Sequence, residues 1–227
     1  MKEIKGLIKK DLFNLVSYKN SILIIIVFIC AFAYFSSNAI NYIPIMIVTM
    51  IGMIAIATFS YDEQSKSDKY ILSMPVNKKE IVVEKYILTI LATIIGAILG
   101  YIITIIIINI NNNIRPENFI SLDYSKLFIT TISGMFGISL VEAIQIPSIY
   151  KWGAEKGRIE MFVLIFAIAL IIGALGYFLT EAKVDINVEI IKNFFKQYGI
   201  ITLVIIMTIM YYISYKISYN IYNKKDI

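Results

Sequence analysis

The sequence predicts an all-α polytopic membrane protein: an N-terminal interfacial amphipathic helix, six transmembrane helices, and a short cytoplasmic helix between the second and third. Three observations lead there. Of 227 residues 59% are hydrophobic and only 16% charged, whereas soluble domains carry about 25% charged residues. Six apolar stretches are long enough to cross about 30 Å of hydrocarbon at about 1.5 Å per residue. The Lys and Arg between them fall mostly on alternate loops. Lipid is therefore the main solvent, and mean hydropathy is +0.77. Six spans with short loops leave no room for a separate soluble catalytic domain, so the chain is read as one transmembrane domain, 1–227.

Residues 1–18 place Ile4, Leu7, Ile8, Leu12, Leu15 and Val16 on one helical face, with Lys2, Lys5, Lys9 and Asn14 largely opposite. Such a segment lies in the interface plane with its lysines toward anionic headgroups. It either sets topology alone or also touches a cytoplasmic partner. No cleavable signal is expected, since two acids precede the first apolar run. The spans are read at 21–38, 42–60, 85–110, 126–149, 160–180 and 199–220, the third long enough to tilt. Cys30, the single cysteine, sits inside the first of them and is read as a small apolar residue.

Cation placement orients the chain. With the N-terminus inside, the cytoplasmic segments hold Lys2, Lys5, Lys9, Lys10, Lys19, Lys66, Lys69, Lys78, Lys79, Lys85, Lys151, Lys156, Arg158, Lys216, Lys224 and Lys225. Outside are only Arg115, Lys126, Lys183, Lys192 and Lys196. The positive-inside rule puts both termini in the cytoplasm of a multi-pass cell-membrane protein.

The loop after span two carries helix-start signals. Ser60 with Glu63 has capping-box spacing and Ser65 with Asp68 a similar form, which predicts a short helix over 61–74 that Pro75 stops. Asn77 and Glu80 repeat the arrangement and start the helix that enters the membrane through Ile81, Val82 and Val83. Tyr70, Ile71, Leu72 and Met74 are exposed unless a partner or the bilayer covers them. The second cytoplasmic loop, 149–159, is hinged by Gly153 and Gly157. It carries the interfacial Trp152 and lacks the Gly-Lys-Ser/Thr ending of a phosphate loop.

Inside the membrane, Glu142 is the one acid deep in an expected span, a turn before Gln145 and Pro147. An ionised carboxylate there is costly unless paired or wet, so it lines a cavity, pairs with Lys85, or is neutral, serving either as a structural polar contact or, with Gln145, as part of a translocation path. Gly96 and Gly100, Gly134 and Gly137, and Gly173 and Gly176 permit close helix approach, and only the first pair has GxxxG spacing. Beyond span five, 187–198 reads as a short amphipathic extracellular helix carrying Ile191, Phe194, Phe195 and Tyr198.

Taken together, the N-terminal interfacial helix, six spans, the stretch from Asp62-Glu63 through Tyr70-Ile-Leu-Ser-Met-Pro-Val-Asn-Lys-Lys-Glu80, and Pro147-Ser-Ile-Tyr-Lys-Trp-Gly-Ala-Glu-Lys-Gly-Arg158 resemble the ABC-2 type permease family. Within it they are most similar to small permeases of Gram-positive peptide exporters, including those that export phenol-soluble modulins. The resemblance implies two permease subunits, identical or paralogous, working with two cytoplasmic ABC ATPases. It also implies that the helix over 61–74 is a coupling helix. The ATPase contacts it implies are Asp62, Glu63, Lys66, Lys69, Tyr70, Ile71, Leu72, Met74 and Pro75, with a second set at Tyr150, Lys151, Trp152, Gly153, Glu155, Lys156 and Arg158. No cofactor is expected on this chain, ATP and Mg belonging to the partner, and no nucleic-acid partner is expected. The other function class left open is a stand-alone binding or immunity protein that sequesters a peptide without transport. An intramembrane enzyme finds little support: the chain has no His and one Cys and no paired acids within the spans.

Overall fold

A computed structural model describes residues 2–16, 19–35, 42–67, 76–181 and 188–225. Among them every regular element is helical: α1 (Lys2–Val16), α2 (Lys19–Phe35), α3 (Ile43–Gln64), α4 (Lys78–Ile114), α5 (Tyr124–Trp152), α6 (Ala154–Glu181) and α7 (Val188–Asn223), with one 3-10 turn at Pro116–Asn118. Among the described residues four segments are long and apolar enough to cross a membrane: Ile43–Gln64, Lys78–Ile114, Tyr124–Trp152 and Tyr198–Asn223.

The helices begin where the sequence supplies caps. Pro44 occupies the first turn of α3, where its missing N–H is no loss. Asn77 and Glu80 form the expected capping box at the start of α4, and the Asp123 carboxylate accepts the backbone N–H of Lys126 at the start of α5. Several helices outrun the spans read from hydropathy, which registers lipid and not the end of a helix. Two expected helix boundaries are corrected, and the part of the expected 61–74 helix from residue 68 onward lies outside the described residues. Residues 61–64 are the last turn of α3 and not the start of a separate helix, so Ser60 and Glu63 do not form a cap there; Lys66, at φ +49°, ends the helical path. Residues 188–198 likewise continue into α7 without a break, because the apolar run that follows keeps extending the same helix.

α3 is the central helix, packed against α4 and α5, and glycines set how closely it packs. A Cβ on Gly100 would lie 3.1 Å from the Pro44 carbonyl oxygen and 3.2 Å from its Cα, and one on Gly96 would lie 3.2 Å from the Val48 Cα. The GxxxG pair of α4 therefore lies directly on the α3 backbone, and Gly134 of α5 meets Ile45 of α3 in the same way at 3.0 Å. Gly137 and Gly173 have no such neighbour within 4 Å and are not contact glycines within this chain. Gly100→Leu is expected to cost about 1–3 kcal/mol, because the obstructing atoms are backbone and cannot rotate away. Gly137→Leu should leave stability unchanged; thermal unfolding of the two variants in detergent tests the contrast.

Two apolar clusters close the ends of the bundle. One joins Leu7, Ile56, Phe59, Tyr86, Ile149, Tyr150 and Tyr222, so α1, α3, α4, α5 and α7 converge where α5 meets α6. The other, at the opposite end, joins Ile29, Ile43, Ile47 and Ile108. There the Asn112 side chain both donates to and accepts from the Ile120 backbone at 2.9 Å and fixes the 115–123 loop. Between the ends, Ile94, Ile98, Ile102, Ile106 and Ile110 form an exposed stripe on α4, a surface suited to hydrocarbon.

Candidate functional site

The end of α3 and the α5–α6 elbow form one structure. α5 runs to Trp152, Gly153 alone makes the turn at φ +89°, and α6 starts at Ala154. The Glu63 carboxylate accepts the Ala154 backbone N–H at 2.5 Å, satisfying an orphan donor at the positive end of α6. A Cβ on Gly153 would lie 2.7 Å from that carboxylate, so the turn needs glycine for both its φ and its space. Arg158 reinforces the joint by donating to the Ser60 hydroxyl at 3.3 Å. Gly157 is not the second hinge expected from sequence: it lies within α6, where a Cβ would come within 2.9 Å of the Ile149 backbone nitrogen.

The residues assigned to ATPase contact therefore divide. Lys151, Trp152, Glu155 and Lys156 are exposed around the elbow, with the Lys151 ammonium 4.0 Å from the Trp152 ring centroid. Glu63 is exposed yet occupied by its cap, and Lys66 is exposed in the turn after α3. Tyr150 is buried, its ring meeting Phe59 and Tyr222 edge to face. Lys69, Tyr70, Ile71, Leu72, Met74 and Pro75 lie outside the described residues.

Asp62 is the clearest departure from a surface contact. Its side chain is enclosed with Asp11 of α1 and Lys85 of α4, and the three are 8%, 0% and 4% exposed. The Lys85 ammonium bonds the Asp11 carboxylate, lies 2.6 Å from the Asp62 carboxylate, and donates to the Thr58 hydroxyl at 3.2 Å. Lys10 closes the group, 2.6 Å from Asp62 and 3.0 Å from Asp11. Ser67, past the end of α3, donates to Asp62 at 2.9 Å. Three segments distant in sequence are thus held by two cations and two carboxylates, the arrangement that makes burying charge tolerable. The sequence offered one local sign, an Asp within the apolar stripe of α1. Glu84, 1% exposed beside this group, was also missed.

Lys85 is accordingly not the partner of Glu142. Glu142 is 0% exposed and accepts hydrogen bonds from Thr93 of α4 at 3.1 Å and from the Tyr211 hydroxyl of α7. Gly52 of α3 faces the same carboxylate, close enough that a Cβ there would lie 2.9 Å from it. One acid thus joins α3, α4, α5 and α7. An apolar cavity of about 570 Å³ lies between α4, α5 and α7, and Thr93, Ser139 and Tyr211 line it while Glu142 stands behind them. Gln145 faces a different cleft, between α3, α5 and α6. Among the described residues no group of His, Cys, Asp and Glu is arranged to hold a metal ion.

A family model described as ABC-2 family transporter protein matches residues 6–223, from α1 to the end of α7. No curated protein and no solved structure matches the chain.

Proposed function

Because the chain belongs to the ABC-2 family of transporter proteins, we propose that it is the permease subunit of an ATP-driven exporter. It carries amphipathic peptides or similar hydrophobic substrates outward and takes its energy from a separate cytoplasmic ABC ATPase. The permease acts as a pair with a second copy or a paralogue, each with six spans. α2 and α6 supply the two spans additional to the four long apolar segments, and α1 lies along the inner surface. The cation distribution supports cytoplasmic termini. ATP and Mg sit on the partner, the phenol-soluble modulin exporters being the kind of system the loop motifs resemble.

The observation that carries this reading, beyond family membership, is the joint between the end of α3 and the elbow. Glu63 on the Ala154 N–H ties the segment entering 65–75 to the exposed Lys151, Trp152, Glu155 and Lys156. A partner pressing on either loop would therefore move both. Tyr70, Ile71, Leu72 and Met74 supply the apolar part of that contact, with Lys69 and Pro75 at its margins. Within the membrane, Glu142 holds the Thr93 and Tyr211 wall of the apolar cavity, and so acts on the path by positioning that wall.

Replacing both Tyr70 and Leu72 with Asp is expected to abolish co-purification of the co-expressed ATPase while the permease stays in the membrane, since charge replaces apolar contact. Co-purification and ATP-dependent export at wild-type levels would reject the coupling assignment. Transport-free retention of a peptide by the wild-type complex would instead favour sequestration.

A further inference from the structure

The cleft that Gln145 faces has the features of a lipid site. Its volume is about 390 Å³, within the range of small-molecule pockets. It opens on the flank of the bundle between α3 and α6, where Met53 is 41% and Phe162 63% exposed. Met53, Ala57, Met161 and Phe162 make its walls apolar. Ser60 and Arg158 stand at the end nearest the elbow.

Two polar groups of this cleft are open to a ligand: a buried oxygen without a partner and an exposed cation. Gln145 is 3% exposed, and its side-chain oxygen has no hydrogen-bond partner. A buried acceptor left so is unfavourable until something donates to it or the amide turns. Arg158, an obligate cation with a planar fork of donors, touches the Ser60 hydroxyl, and among the described residues no carboxylate lies within 4 Å of it. Glu155, one turn away, does not pair with it.

We propose that this cleft binds one anionic phospholipid of the phosphatidylglycerol class, headgroup toward the elbow and acyl chain along Met53, Ala57 and Phe162. The guanidinium of Arg158 takes the phosphate in a charge-assisted contact, beside the Ser60 hydroxyl. Gln145, about a turn deeper in the bundle than Arg158, lies at the level of the glycerol ester groups. Its amide, turned about its last bond, donates N–H to an ester carbonyl oxygen. A lipid alone supplies all three features in that order: anion at the surface, acceptor below it, hydrocarbon beyond. Arg158 then serves the lipid flank of the elbow, while Glu155 and Lys156 remain on the face left to the ATPase. The inference rests on the chain crossing a membrane and not on which ATPase it joins.

Native mass spectrometry of the full-length protein in a non-ionic detergent tests it, with dioleoyl phosphatidylglycerol, dioleoyl phosphatidylcholine and glycerol 3-phosphate as separate probes. One phosphatidylglycerol per chain should be retained, more tightly than phosphatidylcholine, and glycerol 3-phosphate should neither bind nor displace it. Arg158→Gln should weaken retention roughly tenfold, the scale of one charge-assisted contact. Ala57→Phe, which fills the apolar channel, should abolish it. Wild-type retention in Arg158→Gln would overturn the proposal, as would equal retention of phosphatidylcholine. Tight binding of glycerol 3-phosphate would show a soluble-phosphate site instead. Because no ATPase is present, these outcomes are separate from the coupling experiment.

Discussion

Lys85→Met is expected to give the most destabilised single variant of this protein. Methionine preserves the length and apolar stem of the side chain, so the loss isolates the ammonium. Without it, Asp11 and Asp62 keep only Lys10, whose side chain is 32% exposed, and two enclosed carboxylates face each other. Removing one member of a buried ion pair costs about 3–5 kcal/mol, and here one cation serves two acids. A large fall in the detergent unfolding temperature should be accompanied by release of α1, read as protease cleavage within residues 2–16. Adding Asp11→Asn and Asp62→Asn to Lys85→Met should recover much of the loss, because neutral amides leave no charge unpaired. Unfolding at the wild-type temperature in Lys85→Met would show that the ion group does not hold α1.

Glu142→Leu is expected to be the next largest change, and Glu142→Gln a small one. Leucine fills similar space but leaves the Tyr211 hydroxyl without its carboxylate acceptor in a buried setting, a loss of about 1–3 kcal/mol, and loosens a polar contact joining α5 to α7 behind the cavity wall. Glutamine keeps an oxygen acceptor for Tyr211 and Thr93. Unfolding temperature and reconstituted export should therefore both fall in Glu142→Leu and stay near wild type in Glu142→Gln. Loss of export in Glu142→Gln with normal stability and assembly would show that the charge itself takes part in transport.

Local signals carried much of the fold into the sequence reading. The capping box at Asn77 and Glu80, the long apolar helices and the GxxxG contact of Gly96 and Gly100 all depend on residues a few positions apart, and the structure contains each. The signals that misled were local too. Ser60 and Glu63 have the spacing of a helix start, but α3 passes through them because nothing breaks it before Lys66, and Glu63 caps a helix 91 positions later in the chain. Pairings across long separations leave no spacing to read: Asp11 and Lys85 are 74 residues apart, and Glu142 and Tyr211 are 69 apart. Glu142 therefore could be recognised as costly without its partners being identifiable. Gly157 shows the same limit, since its need for glycine comes from the neighbouring Ile149 backbone and not from a turn.

The Glu63 bond to Ala154 also sets a pivot. α6 has 28 residues and therefore extends about 42 Å at about 1.5 Å per residue, and its first turn is tethered to the tip of α3 through a single-residue bend. Rotation by about 5° at that tether would sweep the far end of α6 through roughly 4 Å, on the same helix length. Rotary input at the elbow is thus magnified along α6, the helix whose outer face Phe162, Val163, Phe166, Leu170 and Ile171 leave uncovered. A displacement too small to unpack the end clusters thus becomes a shift of several ångströms at the far end of α6, about the width of a side chain.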